Sequence, residues 1–125
     1  METLKGRVLI LDDEAIVGRG MAMMAEHLNV DSMCVTGPAA FFLAIEEWSP
    51  THIILDLIMP DMGGMSVFEQ LAQLSCPARM AISSGLGARD LNAARASAVA
   101  LGLDVAAILP KPVRLSALHE FLFDK

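Results

Sequence analysis

The chain has 125 residues, enough for one domain that buries roughly two thirds of the surface its unfolded form exposes and too few for a second core. Its 15 acidic against 9 basic residues give a net charge of −6, with Arg and Lys scattered singly, which argues against direct nucleic-acid binding. Hydrophobic residues make up 54%, yet the longest uncharged stretch, 32–45, contains Gly37-Pro38 and is too short to span a bilayer, so the apolar excess is assigned to a core and no membrane association is expected.

The opening residues Met1 to Arg7 carry charges and no apolar block followed by small residues, so neither a secretory signal nor a transit peptide is read there and a cytoplasmic location is expected. From there, apolar runs of four to six residues alternate with segments of helical periodicity, the pattern of βαβ units and a parallel sheet. The first strand, 7–11, runs into Asp12-Asp13-Glu14. The helix expected over 14–28 carries Val17, Met21, Met24 and Leu28 as one stripe. Gly18 and Gly20 should weaken it, each by about 1 kcal/mol relative to alanine.

A second strand over 30–35 leads to a helix starting near Thr36-Gly37-Pro38, where Thr36 can cap and Pro38 is tolerated in the first turn, and ending before Ser49-Pro50. The third strand, 52–56, ends in Asp56, and Pro60 with Gly63-Gly64 makes a loop after it. A helix over 64–74 bears Val67, Leu71 and Leu74, and the strand over 79–83 ends in Ser83-Ser84-Gly85. The helix over 88–101 repeats Leu91, Ala94, Ala98 and Leu101, with Gly102 as its C-terminal cap. The last strand, 105–109, meets Pro110-Lys111-Pro112, and the last helix, 113–123, shows Leu115, Leu118 and Leu122. No repeat, low-complexity tract or domain boundary interrupts the series, so residues 1–125 are expected to form a single domain with no output domain in this chain.

If the runs are parallel strands, their polar ends share the carboxyl edge of one sheet, where ligands bind in open α/β folds. Capping a helix explains one aspartate of the Asp12-Asp13 pair. Two, with Glu14 behind them, crowd like charges unless a cation neutralises them, and hard oxygen ligands suit Mg²⁺ or Mn²⁺. A turn explains Pro60 and the glycines but not Asp56, whose carboxylate beside a divalent ion is a competent nucleophile toward a phosphoryl group. Ser84 read alone is a turn residue whose hydroxyl can also donate to a phosphoryl oxygen. Lys111, held between two prolines, can pair with a carboxylate or with phosphate oxygens. Cys34 and Cys76 lack ligand spacing and read as reduced structural thiols, and His27, His52 and His119 have no partner at catalytic spacing.

Taken together, Leu11-Asp12-Asp13-Glu14, the stretch from Asp56 through Ile58-Met59-Pro60 to Gly63-Gly64, Ser84-Gly85 and Lys111-Pro112 closely resemble the receiver domain of two-component response regulators, across essentially the whole chain. The resemblance implies a flavodoxin-like (βα)5 doubly wound sheet of strand order 2-1-3-4-5. It implies that Asp56 is the phosphoacceptor, Asp12 and Asp13 the acidic pair holding Mg²⁺, and the backbone carbonyl of Ile58 a further metal ligand. Ser84 then resembles the switch hydroxyl and Lys111 the phosphoryl contact. The implied partners are a sensor histidine kinase or phosphotransfer protein, an output protein or output domain, and a second copy through the face of the fourth helix, fifth strand and fifth helix. Such a domain is a signalling module and catalyses only its own phosphorylation and dephosphorylation.

Three departures mark this chain. Ile108 stands where the family often has the aromatic partner of the switch hydroxyl, which argues against an aromatic rotamer switch. Ser83 is a second candidate hydroxyl. The interval from Ser84 to Lys111 is about a turn of helix longer than usual, and with Ser84-Gly85-Leu86-Gly87 it is similar to receivers found upstream of EAL-type domains. Three other readings compete. A degenerate receiver working as a phosphorylation-independent interaction module is opposed by the intact acidic pair, Asp56 and Lys111. A small aspartyl-phosphate phosphatase would need a second aspartate where Ile58 stands. A flavodoxin would need a Ser/Thr/Gly-rich loop after the first strand.

Overall fold

Five apolar runs pair side by side as a parallel sheet, and the segments between them return over its two faces as helices. The computed structural model describes residues 6–56, 64–84 and 88–123. In chain order the elements are β1 (Arg7–Leu11), α1 (Ala15–His27), β2 (Asp31–Val35), α2 (Pro38–Trp48), β3 (His52–Asp56), α3 (Gly64–Gln73), β4 (Arg79–Ser84), α4 (Ala88–Ala100), β5 (Val105–Pro110) and α5 (Leu115–Phe123). The sheet order is β2-β1-β3-β4-β5, the doubly wound order expected from the sequence. It reverses direction at β1, and the carboxyl ends of β1 and β3 flank that switch point.

Alternation along each strand decides which helix it packs against. Leu9, Leu11, Ile53, Leu55, Met80 and Ile82 are buried beneath Phe41 and Ala44 of α2, Val67, Phe68 and Leu71 of α3, and Ala98 of α4. Val8, Ile10, Ile54 and Ala81 are buried on the opposite face, against Met21 and Ala25 of α1 and Leu118, Phe121 and Leu122 of α5. Both faces of the central strands are therefore covered, which is why those strands read as continuous apolar runs rather than as alternating ones.

Several local expectations shift. In α1 the buried line is Gly18, Met21 and Ala25, with Val17 and Met24 at its margins. Gly18 is a contact point rather than a weak spot: a methyl group there would stand 2.4 Å from Cys34 Sγ and 3.6 Å from Asp12 Cβ. Gly20 has nothing within 4 Å and keeps only its cost to the helix. Thr36 does not cap α2. The N-cap is Gly37, with Pro38 in the first turn. In α3 the buried face is Val67, Phe68 and Leu71, whereas Leu74 lies past the helix end and is exposed. Leu101 and Leu115 are also exposed, and Phe121 takes the core place beside Leu118 and Leu122. Leu91 falls where side chains are not described. Gly102 closes α4 as expected, with φ +88° and its N–H donating to the carbonyl of Val99. Among the described residues, no helix is long and apolar enough to cross a membrane.

Candidate phosphoacceptor site

The polar ends of β1, β3 and β5 converge because parallel pairing aligns them. Val8 to Leu11 pair with His52 to Leu55, so Asp12 and Asp56, each one residue further on, end neighbouring strands at the same level. Asp12 follows Ile10, and Asp56 follows Ile54, by two residues. Both therefore belong to the face covered by α1 and α5. Asp12 is wholly buried, Asp56 is 4% exposed, and Asp13 is exposed at the mouth. Carboxylate oxygens of the three lie within 4.8 Å of one another.

The two oxygens of Asp12 have different tasks. Oδ1 accepts a hydrogen bond of 2.9 Å from the backbone N–H of Glu14. The N-cap of α1 is Glu14 itself, with no side-chain cap bond, so the capping role expected of one aspartate gives way to a local turn bond ahead of the helix. Oδ2 faces Lys111, whose Nζ lies 2.9 Å from it and 3.3 Å from Asp56 Oδ2, with Glu14 Oε1 further off at 3.9 Å. The Lys111–Asp12 contact is an ion pair off the hydrogen-bonding axis, and Oδ2 receives no well-directed hydrogen bond. Burial alone would lower the pKa of Lys111. The close contact with Asp12 and the charges of Asp56 and Asp12 more than offset this and raise it above its ordinary 10.5. The ammonium is thus a fixed positive charge. The Lys111–Pro112 peptide that carries it out of β5 is cis.

One ammonium set against Asp12, Asp13, Glu14 and Asp56 leaves a formal excess of negative charge. Hard carboxylate oxygens, two of them from nearly or wholly buried residues and one exposed to solvent, fit a divalent cation that keeps part of its water shell, as Mg²⁺ does. The under-bonded Asp12 Oδ2 is the atom such an ion would satisfy.

Of the remaining residues singled out from sequence, Ser84 ends β4 and pairs in register with Pro110, while its side chain lies outside the described atoms. Ile58 and the loop through Gly63 lie outside the described residues, as does Gly85. Ile108 packs with the α2–α3–α4 side of the core. One contributor was not foreseen, and the second candidate hydroxyl has a place of its own. Gly18 lets α1 approach close enough to seat Asp12 against the sheet; the available signal was a small residue on the inner face of a helix that follows an acidic pair. Ser83 is wholly buried and pairs in register with Asp56. Beside the site, an apolar cleft of about 410 Å³ runs between Ile16, Val17 and Met24 of α1 and the Lys111-Pro112-Val113 turn.

Comparison with known proteins agrees with this geometry. The family model of the response regulator receiver domain matches residues 8–123. A response regulator from Colwellia psychrerythraea superposes with a TM-score of 0.77 at 33% identity, covering 95% of this chain and 94% of that one. The signal receiver domain of a putative Luxo repressor protein from Vibrio parahaemolyticus gives 0.79 at 27% identity, over 93% and 85%. Among curated proteins, the DNA-binding response regulator MtrA of Mycobacterium tuberculosis is 27% identical over 67 residues, which is 54% of this chain and 29% of that protein. A protein-glutamate methylesterase/protein-glutamine glutaminase of Myxococcus xanthus is 34% identical over 84 residues, 65% of this chain and 24% of that protein. The chain thus spans less than a third of the length of these curated relatives. Strand order, the acidic cluster at the switch point and a family match over nearly every residue place the chain in the response regulator receiver domain family.

Proposed function

We propose that this receiver accepts a phosphoryl group on Asp56, in a reaction that requires Mg²⁺ or Mn²⁺, from the phosphohistidine of a sensor histidine kinase or phosphotransfer protein. The observation that carries the reading is the convergence of Asp12, Asp13 and Asp56 oxygens within 4.8 Å, bridged by the Lys111 ammonium. Asp12, Asp13 and Asp56, with the backbone carbonyl of Ile58, would hold the cation, which when bound shields negative charge as the phosphoryl group approaches. In the transfer, an Asp56 carboxylate oxygen forms a bond to phosphorus as the P–N bond to the donor imidazole breaks, and the imidazole leaves with that electron pair. Lys111 keeps its positive charge against the incoming oxygens, and the Ser84 hydroxyl donates to one of them.

The added charge then biases the backbone around Ser84 and Lys111, and through it the α4–β5–α5 face. Val99, Leu115 and Phe123 are 53%, 40% and 49% exposed on α4 and α5, apolar surface suited to an output partner or a second copy. The donor would dock along the apolar cleft beside α1, which opens next to Lys111. Output passes to another protein or to a domain outside these residues, and a partnership with a kinase's phosphohistidine is consistent with a cytoplasmic location. The test is a calorimetric titration with Mg²⁺, followed by beryllofluoride. Binding of the phosphoryl mimic only when Mg²⁺ is present supports the reading. Mg²⁺-independent binding, or none, favours a phosphorylation-independent interaction module instead.

A further inference from the structure

Ser83 is wholly buried, and its hydroxyl has no hydrogen-bond partner among the described residues. A buried hydroxyl without a partner is destabilising, and such groups in native proteins call for an explanation. Its position supplies one. Ser83 pairs in register with Asp56 on one side and with Leu109 on the other, and it follows Ala81 on the face that carries Asp12 and Asp56. In the sheet order, β4 lies between β3 and β5. Lys111, just past the end of β5, reaches within 3.3 Å of Asp56 at the end of β3, so its stem crosses the end of β4 on the side where Ser83 is buried.

We propose that the Ser83 hydroxyl is a second seat for the Lys111 ammonium, used when a divalent cation occupies Asp12 and Asp56. The idea rests on the metal-dependent reading above. Without metal, Nζ is held 2.9 Å from Asp12 and 3.3 Å from Asp56, and Ser83 is left unused. With two positive charges on the same carboxylates, the ammonium is repelled from them and needs another acceptor close to its own stem. Among the described residues, Ser83 Oγ is a free acceptor on that path, and the shift would keep the lysine beside Asp56, the register partner of Ser83. Ser83 is thus a positioning residue that acts through Lys111.

The test is a double-mutant cycle read by Mg²⁺ affinity in calorimetry and by melting without metal, on unsubstituted protein, Ser83→Ala, Lys111→Met and the double variant. Ser83→Ala should melt higher than the unsubstituted protein without metal, because it removes the unsatisfied hydroxyl. It should nevertheless bind Mg²⁺ more weakly, by roughly tenfold or more, the loss expected for a hydrogen bond to a charged group. In the Lys111→Met background, Ser83→Ala should leave Mg²⁺ affinity unchanged. Equal affinity of Ser83→Ala and the unsubstituted protein overturns the proposal. So does an equal loss in both backgrounds, or a fall in melting temperature without metal, which would show the hydroxyl already bonded. Failure of the unsubstituted protein to bind Mg²⁺ removes the metal reading itself, a separate result.

Discussion

Gly18 and Gly20 separate two meanings of a helical glycine that sequence alone merges. Both cost α1 about 1 kcal/mol of propensity relative to alanine, but a methyl group at Gly18 would stand 2.4 Å from Cys34 Sγ, while one at Gly20 meets nothing. Gly20→Ala should therefore raise stability by up to about 1 kcal/mol, and Gly18→Ala should lower it by roughly 1–3 kcal/mol through overpacking. Chemical denaturation checks both, and adding Cys34→Ala to Gly18→Ala should recover most of the loss. Asp12 and Asp13 also look alike in sequence and differ in place. Asp12 is buried, bonded to Glu14 and paired with Lys111, whereas Asp13 is exposed and adds mainly repulsion. Asp13→Asn should thus melt higher than the unsubstituted protein without Mg²⁺ and gain less from its addition. A variant less stable in both conditions would contradict that division.

At the scale of elements, the alternation of apolar runs with periodic segments was enough to locate all five strands and all five helices to within a residue or two, because each strand is continuous and each helix has its own stripe. Which residue of a stripe is buried was less legible. Helix α3 shows why: Leu74 continues the spacing of Val67 and Leu71, but the helix ends at Gln73 and leaves Leu74 exposed, while Phe68, beside the stripe, is wholly buried. Phe68→Ala should cost about 3–5 kcal/mol and Leu74→Ala less than about 1 kcal/mol. Urea denaturation distinguishes them, and comparable costs would place the α3 stripe where periodicity alone puts it. Thr36 carries a related lesson. It has the right chemistry for a cap, but α2 begins after Gly37, with Pro38 in its first turn.

Across the whole molecule, the candidate site was legible because parallel topology brings strand ends together whatever the distance between them in the chain. Asp12, Asp56 and Lys111 lie far apart in sequence and meet within 3.3 Å of one ammonium. The approach of α1 through Gly18 was not legible, and Ser83 was legible as a second candidate hydroxyl but not as a buried one in register with Asp56, since both features depend on the register and face of neighbouring strands. The same topology decides which probe can report on the site. Trp48 ends α2, and its carbonyl accepts a hydrogen bond from Arg7 Nη1 at the start of β1, at the edge of the sheet opposite the acidic cluster. Direct detection of the phosphoryl group is therefore the better measurement. The protein should be incubated with a small-molecule phosphodonor and Mg²⁺, reduced with borohydride to convert any acyl phosphate to homoserine, and mapped by mass spectrometry. The account predicts homoserine at position 56, dependent on Mg²⁺, and none anywhere in Asp56→Asn. Modification at another aspartate in the unsubstituted protein, or undiminished modification in Asp56→Asn, would contradict it.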